Sequence, residues 1–259
     1  MSILSDEKQY HLQVSKEDVG KYVLLPGDPG RVEIIASYLE HAQKVAQNRE
    51  YTTFTGYLEG ERVSVVSTGI GGPSAAIAVE ELVKCGCHTF IRIGSSGGIR
   101  EDVKGGDLVI ASAAVRAEGT SKEYLPAGYP AAADFYVTTA LAESAQAVLQ
   151  GKAYQYHVGV VQSKDSFYGE TNPETMPVAQ MLERQWEAYV RCGCLTSEME
   201  CAAVFSVAIA RGVRAGAVLS ALWNAQRERK GMDNPSNFDM TNVIQCAVGA
   251  LRRLIAQNQ

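Results

Sequence analysis

Short apolar runs alternate along the chain with longer stretches whose apolar positions recur every three or four residues, the periods of strand and helix. One order of features recurs three times: an amphipathic helix, a glycine at its end, an apolar strand, then polar residues. It appears as helix 73–84, Gly86 and strand 88–93; as helix 175–190, Gly193 and a short strand; and as helix 200–211, Gly212 and strand 214–222. That order marks βαβ units. Ahead of them a strand at 22–25 opens into a turn at 26–30, and 43–48, 51–58 and 62–67 alternate like antiparallel strands, so the sheet is expected to be mixed. Strands at 107–115 and 156–162, helices at 138–149 and 238–257, and a long loop at 116–136 rich in glycine and proline fill the rest. No repeat, linker or low-complexity segment interrupts the pattern. The expected fold class is α/β, a single domain over 1–259 with a mixed central β-sheet flanked by helices. In such sheets binding sites collect at the carboxyl ends of the strands.

Composition narrows the function more than the fold. A content of 46% hydrophobic and 20% charged residues is ordinary for a packed protein. A net charge of -5 without blocks of like charge gives no footprint for nucleic acid or an anionic membrane, so a small-molecule ligand is expected. No stretch reaches membrane-spanning length. The N-terminal 13 residues carry Asp6 and Glu7 and lack a secretory pattern, which predicts a cytoplasmic location. Six cysteines are few for a disulfide scaffold and are expected to be free. Two Cys-Gly-Cys pairs, at 85–87 and 192–194, suit zinc or copper in principle. Their position between helix and strand favours a plainer account, a glycine that stops a helix between two small apolar residues.

Four segments carry candidate chemistry. In the first, Gly27 and Gly30 follow a strand and Arg31 enters the next helix; bare backbone, a helix N-terminus and a forked guanidinium together can cradle an anion. The second sets Arg92 inside an apolar strand ahead of Gly94, Ser95, Ser96, Gly97 and Gly98. A buried guanidinium needs a partner, either a carboxylate or a bound anion. Because the neighbouring residues are donors, the segment favours bound phosphate over an internal ion pair. The third, 67–74, again feeds glycines into a helix but lacks the spacing of a dinucleotide site. In the fourth, Glu198 and Glu200 flank Met199 between a short strand and an apolar helix. Carboxylates there can accept from ribose hydroxyls and favour a cation-like sugar, or serve simply as solvated acids near a helix N-terminus.

Together these segments resemble the nucleoside phosphorylase and nucleosidase superfamily, and within it most closely the uridine phosphorylases. The residues that carry the resemblance run in order along nearly the whole chain: Tyr10 to Leu12, Pro26 to Arg31, Arg49 and Glu50, Ser67 to Ser74, Arg92 to Ser95, Asp165 to Tyr168, and Glu198 to Glu200. The resemblance implies a phosphorylase/hydrolase-like fold in which Gly27, Arg31, Arg92 and Ser95 hold phosphate, with Arg49 reaching in from a neighbouring subunit. It implies that Glu198, Met199 and Glu200 hold the ribose, that Phe167 stacks on the base, and that His11 and Tyr10 come from the partner chain to the sugar's 5′ end. Arg31, Arg92 and Glu200 would then carry catalysis, with inorganic phosphate as co-substrate and no required cofactor. A homo-oligomer follows, with the dimer as smallest active unit and a hexamer of three dimers as the expected assembly. Some members bind a monovalent cation such as K+ at the dimer interface, here through Glu50, Ile70 and Ser74.

The base is the least determined part. Purine-acting members place an aspartate after the serine that matches Ser220, whereas this chain continues Ala221, Leu222, Trp223 and Asn224, leaving no general acid there. Pyrimidine nucleosides, uridine first, follow by elimination. The usual uracil readers, a glutamine and an arginine after the phenylalanine, are replaced by Thr171 and Pro173. Glu170 or Thr171 is then expected to face the base, and Arg227 or Arg229 to supply positive charge near it. A nucleosidase using water and a nucleoside-binding protein without turnover stand as the alternatives.

Overall fold

The computed structural model describes residues 8–257; Asp6 and Glu7 lie outside the described residues. The chain opens with β1 (Tyr22–Pro26), buried along its whole length, and a 3-10 turn that leads into the short α1 (Val32–Ala36). A meander of β2 (Glu40–Asn48), β3 (Tyr51–Leu58) and β4 (Glu61–Val66) follows, then α2 (Gly72–Lys84) and β5 (Thr89–Gly98). Next come β6 (Leu108–Ala117), the two-residue β7 (Ala131–Ala132), α3 (Phe135–Leu149) and β8 (Tyr156–Lys164). The chain ends with α4 (Phe167–Thr171), α5 (Ala179–Arg191), β9 (Thr196–Glu198), α6 (Cys201–Arg211), β10 (Arg214–Asn224), α7 (Ala225–Arg229) and α8 (Thr241–Gln257).

Two cores sandwich the sheet. Along β1, Val23 and Leu25 join the core that also holds Leu82 of α2 and Phe205 of α6, while Tyr22 and Leu24 join the one that holds Ile35 of α1, Leu141 of α3 and Leu251 of α8. A strand apolar on both faces has to be covered on both sides. The expected single domain with a mixed, helix-flanked sheet is what forms.

β5 is the hub of the sheet. One of its edges pairs in parallel with β10 from Thr89 to Gly98. The other pairs in parallel with β1 as far as Ile93, then antiparallel with β9 at Gly97 and Gly98. Through β10, β6, β8 and β9 the ladder returns to β5, so five strands close into a ring, and β1, β4, β3 and β2 extend the sheet from it. Between Ile93 and Gly97 that edge of β5 has no ladder partner among the described residues. This break lies at the carboxyl end of β1.

Several expected boundaries move. The strand expected at 88–93 continues through the glycines to Gly98 because β10 and β9 pair with them. The helix expected from 175 starts at Ala179, after a 3-10 turn at Pro173–Thr175 and Pro177, whose missing N–H donors cannot serve a helix interior. In the expected loop at 116–136, β6 reaches Ala117 and the Arg116 guanidinium donates to the carbonyls of Ser121, Leu125, Pro126 and Tyr129 at 2.6–2.7 Å, which binds the segment into one shape. All six cysteines are free, and Gly86 and Gly193 take positive φ (91° and 73°) just past the ends of α2 and α5. The Cys-Gly-Cys pairs are therefore helix stops. Burial pushes the Cys85 thiol up to about 11.

Candidate active site

A cavity of about 910 Å³ opens over the break in the sheet. Its floor is Arg92, whose position in β5 puts it on the same side of the strand as Phe90, toward α2 and α6. The guanidinium is 4% exposed and meets two carboxylates. Its Nε donates to Glu198 Oε2 at 3.1 Å and its Nη2 to Glu200 Oε2. The expectation that phosphate would replace an internal ion pair is thus corrected: β9 and the start of α6 bring two acids to Arg92 from more than a hundred residues away. Its Nη1 is buried and has no hydrogen-bond partner among the described residues. It faces Gly27, where a side chain's Cβ would lie 3.9 Å from it. A buried, charged donor left open beside bare backbone is suited to an anion that arrives from outside. Gly94 is needed for this arrangement, since a Cβ there would come within 3.1 Å of Nη2 and 2.6 Å of Leu219.

Glu198 and Glu200 divide their work. Glu198 accepts from Arg92, from the backbone N–H groups of Glu200 (2.8 Å) and Cys201 (3.0 Å) and from the Ser163 hydroxyl. Both of its oxygens are thereby used, and it caps the N-terminus of α6. Burial works against its charge, but Arg92, Ser163 and the two amides outweigh it and hold the carboxyl below its ordinary range. It has no spare capacity to accept from a ribose, which corrects the role expected for it. Glu200, held by Arg92 and by the Gly71 N–H at 2.6 Å, goes the other way: burial, reinforced by Glu198 beside it, raises its carboxyl above the ordinary range despite Arg92. Met199, between the two, also lines the cavity.

Arg31 lines the cavity together with Gly27 and Asp28. Asp28 accepts from the Gly30 N–H at 2.8 Å, which fixes the turn, and stands 3.7 Å from Arg31 Nε. Ser95 lies on the unpaired edge of β5 and lines the same space. The expected cradle of Gly27, Arg31, Arg92 and Ser95 is thus brought together around one cavity.

The model of the family described as "Phosphorylase superfamily" matches residues 21–256. The chain belongs to the phosphorylase superfamily. It is 48% identical to a uridine phosphorylase of Treponema pallidum (strain Nichols) over 256 residues, 99% of this chain and 98% of that one. It is 37% identical to the uridine phosphorylase of Escherichia coli (strain K12) over 259 residues, 97% of this chain and the whole of the other. A guanosine phosphorylase of Halorubrum lacusprofundi (strain ATCC 49239 / DSM 5036 / JCM 8891 / ACAM 34) is 39% identical over 228 residues, 88% of each chain.

Some residues expected at the site of this superfamily member stand elsewhere in its own subunit. Tyr10, His11 and Arg49 are outside the cavity: His11 is held by Glu81 through its backbone N–H (3.0 Å) and its ring Nδ1 (2.7 Å), and Arg49 occupies the β2–β3 turn with φ 53°. Arg227 is a correction. Its guanidinium donates to the carbonyls of Asp233 (2.6 Å) and Glu101 (2.8 Å), away from the cavity, while Arg229 lines it. Phe167, Glu170 and Thr171 do line it, carried by α4, which the Ser166 hydroxyl caps at the Gly169 N–H. Ala221, buried in β10, takes the place after Ser220 where an acid would stand, and Trp223 lines the cavity at the end of the strand, its ring lying over Gly97. Asn224 cannot substitute, since it bonds the carbonyls of Arg100 and Val103 at 2.8 Å. Sequence reasoning missed Lys164, a cation at the end of a mostly apolar strand, the same signal that drew attention to Arg92. Glu50 Oε1 accepts from Ser74 Oγ at 2.9 Å next to Ile70, which is 78% exposed.

Proposed function

We propose that the chain cleaves uridine with inorganic phosphate, giving uracil and ribose 1-phosphate. The open Nη1 of Arg92, buried at the floor of a cavity that Arg31 also lines, carries the proposal. Near full-length similarity to proteins named uridine phosphorylase supports the choice of nucleoside. Phosphate rests on Gly27, Arg31, Arg92 and Ser95, and Arg49 of a neighbouring subunit closes over it. One phosphate oxygen attacks the anomeric carbon as the carbon–nitrogen bond breaks, and the electron pair leaves on the base nitrogen, which then takes a proton from solvent. The guanidinium groups fix the line of attack and Glu200 stabilises the cation-like sugar, with Met199 under its ring and Phe167 against the base. Glu198 acts through Arg92 and α6, holding both in place. His11 and Tyr10 complete the 5′ end from the partner chain, so a dimer is the smallest active form and a hexamer of three dimers the expected one. The Glu50 carboxylate and Ser74 hydroxyl supply oxygen donors of the kind a hard cation such as K+ takes, beside the exposed Ile70. Free cysteines suit a cytoplasmic location.

The test is to incubate uridine, thymidine, guanosine and inosine with the protein, with and without phosphate. Ribose 1-phosphate release from uridine that depends on phosphate is expected. Equal cleavage in water alone would make the protein a nucleosidase, and binding without cleavage would leave it a nucleoside-binding protein.

A further inference from the structure

β8 ends in Lys164, which reaches the wall of the cavity beside Phe167, its ammonium 5.8 Å from the ring centroid. There it forms a closed triangle. Lys164 Nζ lies 2.9 Å from Glu170 Oε1 and donates to Ser197 Oγ at 2.6 Å, and Ser197 donates in turn to Glu170 Oε2 at 2.8 Å. Every corner keeps capacity in reserve: each carboxylate oxygen accepts one bond where it can accept two, and the ammonium has used two of three donors. Arg229 adds a second cation, its Nη2 donating to the Glu170 carbonyl at 3.1 Å and its guanidinium lying 4.4 Å over Trp186. Lys164, Glu170 and Arg229 also line a second cavity of about 310 Å³ behind α4. The pair therefore borders both cavities.

The imide edge of uracil presents one N–H donor between two carbonyl acceptors. Its complement is an acceptor flanked by donors, which is what a carboxylate beside an ammonium offers. Neither side chain at the two positions where a reader was expected fills that need: the Thr171 hydroxyl turns back to the Phe167 carbonyl at 3.1 Å, and Pro173 carries no polar side chain. We propose that Lys164 and Glu170 read the base, Glu170 accepting from the imide N–H and Lys164 donating to a flanking carbonyl oxygen. This rests on the uridine reading above. As the glycosidic bond breaks, negative charge spreads over the ring oxygens, so Lys164 meets a charge that grows in the transition state and acts on kcat as well as on binding.

The test compares uridine with 3-methyluridine, in which the imide N–H is gone, for the wild-type protein, Glu170→Ala and Lys164→Met. Wild type is expected to prefer uridine by about 100-fold or more in kcat/KM, because a site built around a hydrogen bond rejects a substrate that lacks it. Glu170→Ala should bring that preference within about tenfold, and Lys164→Met should lower kcat on uridine by about 100-fold, with KM for phosphate unchanged in both. A loss of folding would depress both nucleosides and phosphate alike. Comparable use of the two nucleosides by wild type, or an undiminished preference in Glu170→Ala, would overturn the assignment even while uridine phosphorolysis stands. Failure of wild type to split uridine with phosphate would instead remove the reading on which it rests.

Discussion

Arg92 joins stability to function at the level of single side chains. Burial alone would oppose its charge, but Glu200 and Glu198 hold it protonated. Arg92→Met would strand both acids, and breaking a buried pair in this way costs about 3–5 kcal/mol. The expected result is a lower urea midpoint at neutral pH, with a deficit that narrows in acid as the stranded carboxyls take up protons. Glu200 gives the opposite sign. Its folded carboxyl titrates above its unfolded one, so its contribution is fully present below the ordinary glutamate range and is lost as pH rises through the raised value. Glu200→Gln removes that pH-dependent loss. Its melting-temperature margin relative to wild type should move upward as pH climbs above the ordinary glutamate range, while uridine cleavage falls about 100-fold or more, as expected when a charge-stabilising group is neutralised. A margin that shrinks with rising pH would contradict the assignment of the two acids. In the sequence Arg92 is visible as a cation in an apolar strand. Its partners are not, because Glu198 and Glu200 are 106 and 108 residues away and the pairing of β9 with β5 and β8 brings them near.

At the level of elements the site depends on how α6 begins. Glu198 and Ser163 satisfy its first N–H groups, the Ser163 hydroxyl accepting from Ala202 N–H at 2.9 Å while donating to Glu198. Ser163→Ala removes both bonds in a buried place, at a cost of about 1–3 kcal/mol. Denaturant unfolding should show that loss, together with a rise in KM for phosphate as Glu198 loosens its hold on Arg92. Helices and strands were readable because period and glycine stops agree, as at α2 and Gly86. α4 was not, because five residues are too few for a periodic signal and its cap, Ser166, reads equally well as loop. That difference matters, since α4 is what brings Glu170 to Lys164.

For the whole molecule, closure of the five-strand ring was hidden because β9 contributes only two rungs to each neighbour. Chemical access gives one check on the packed whole: among the six cysteines Cys192 is exposed and the other five are buried, so a thiol reagent should label about one equivalent quickly and the rest only on unfolding. The proposed sharing of the site between subunits, with Arg49 reaching into the partner's cavity, gives another. Arg49→Ala and Glu200→Gln should each be nearly inactive alone, whereas mixed dimers would contain one site with both residues intact. Random reassociation of the two should recover about a quarter of the wild-type rate. Recovery of nothing would mean that Arg49 does not cross between subunits.

The missing rungs between Ile93 and Gly97 are set by strand order, so the seat beneath the nucleoside exists before any reactant arrives. Inorganic phosphate should accordingly dock without rearrangement, at a rate that scales with its concentration and shows no plateau in stopped-flow mixing, and any slow closing step should belong to the nucleoside.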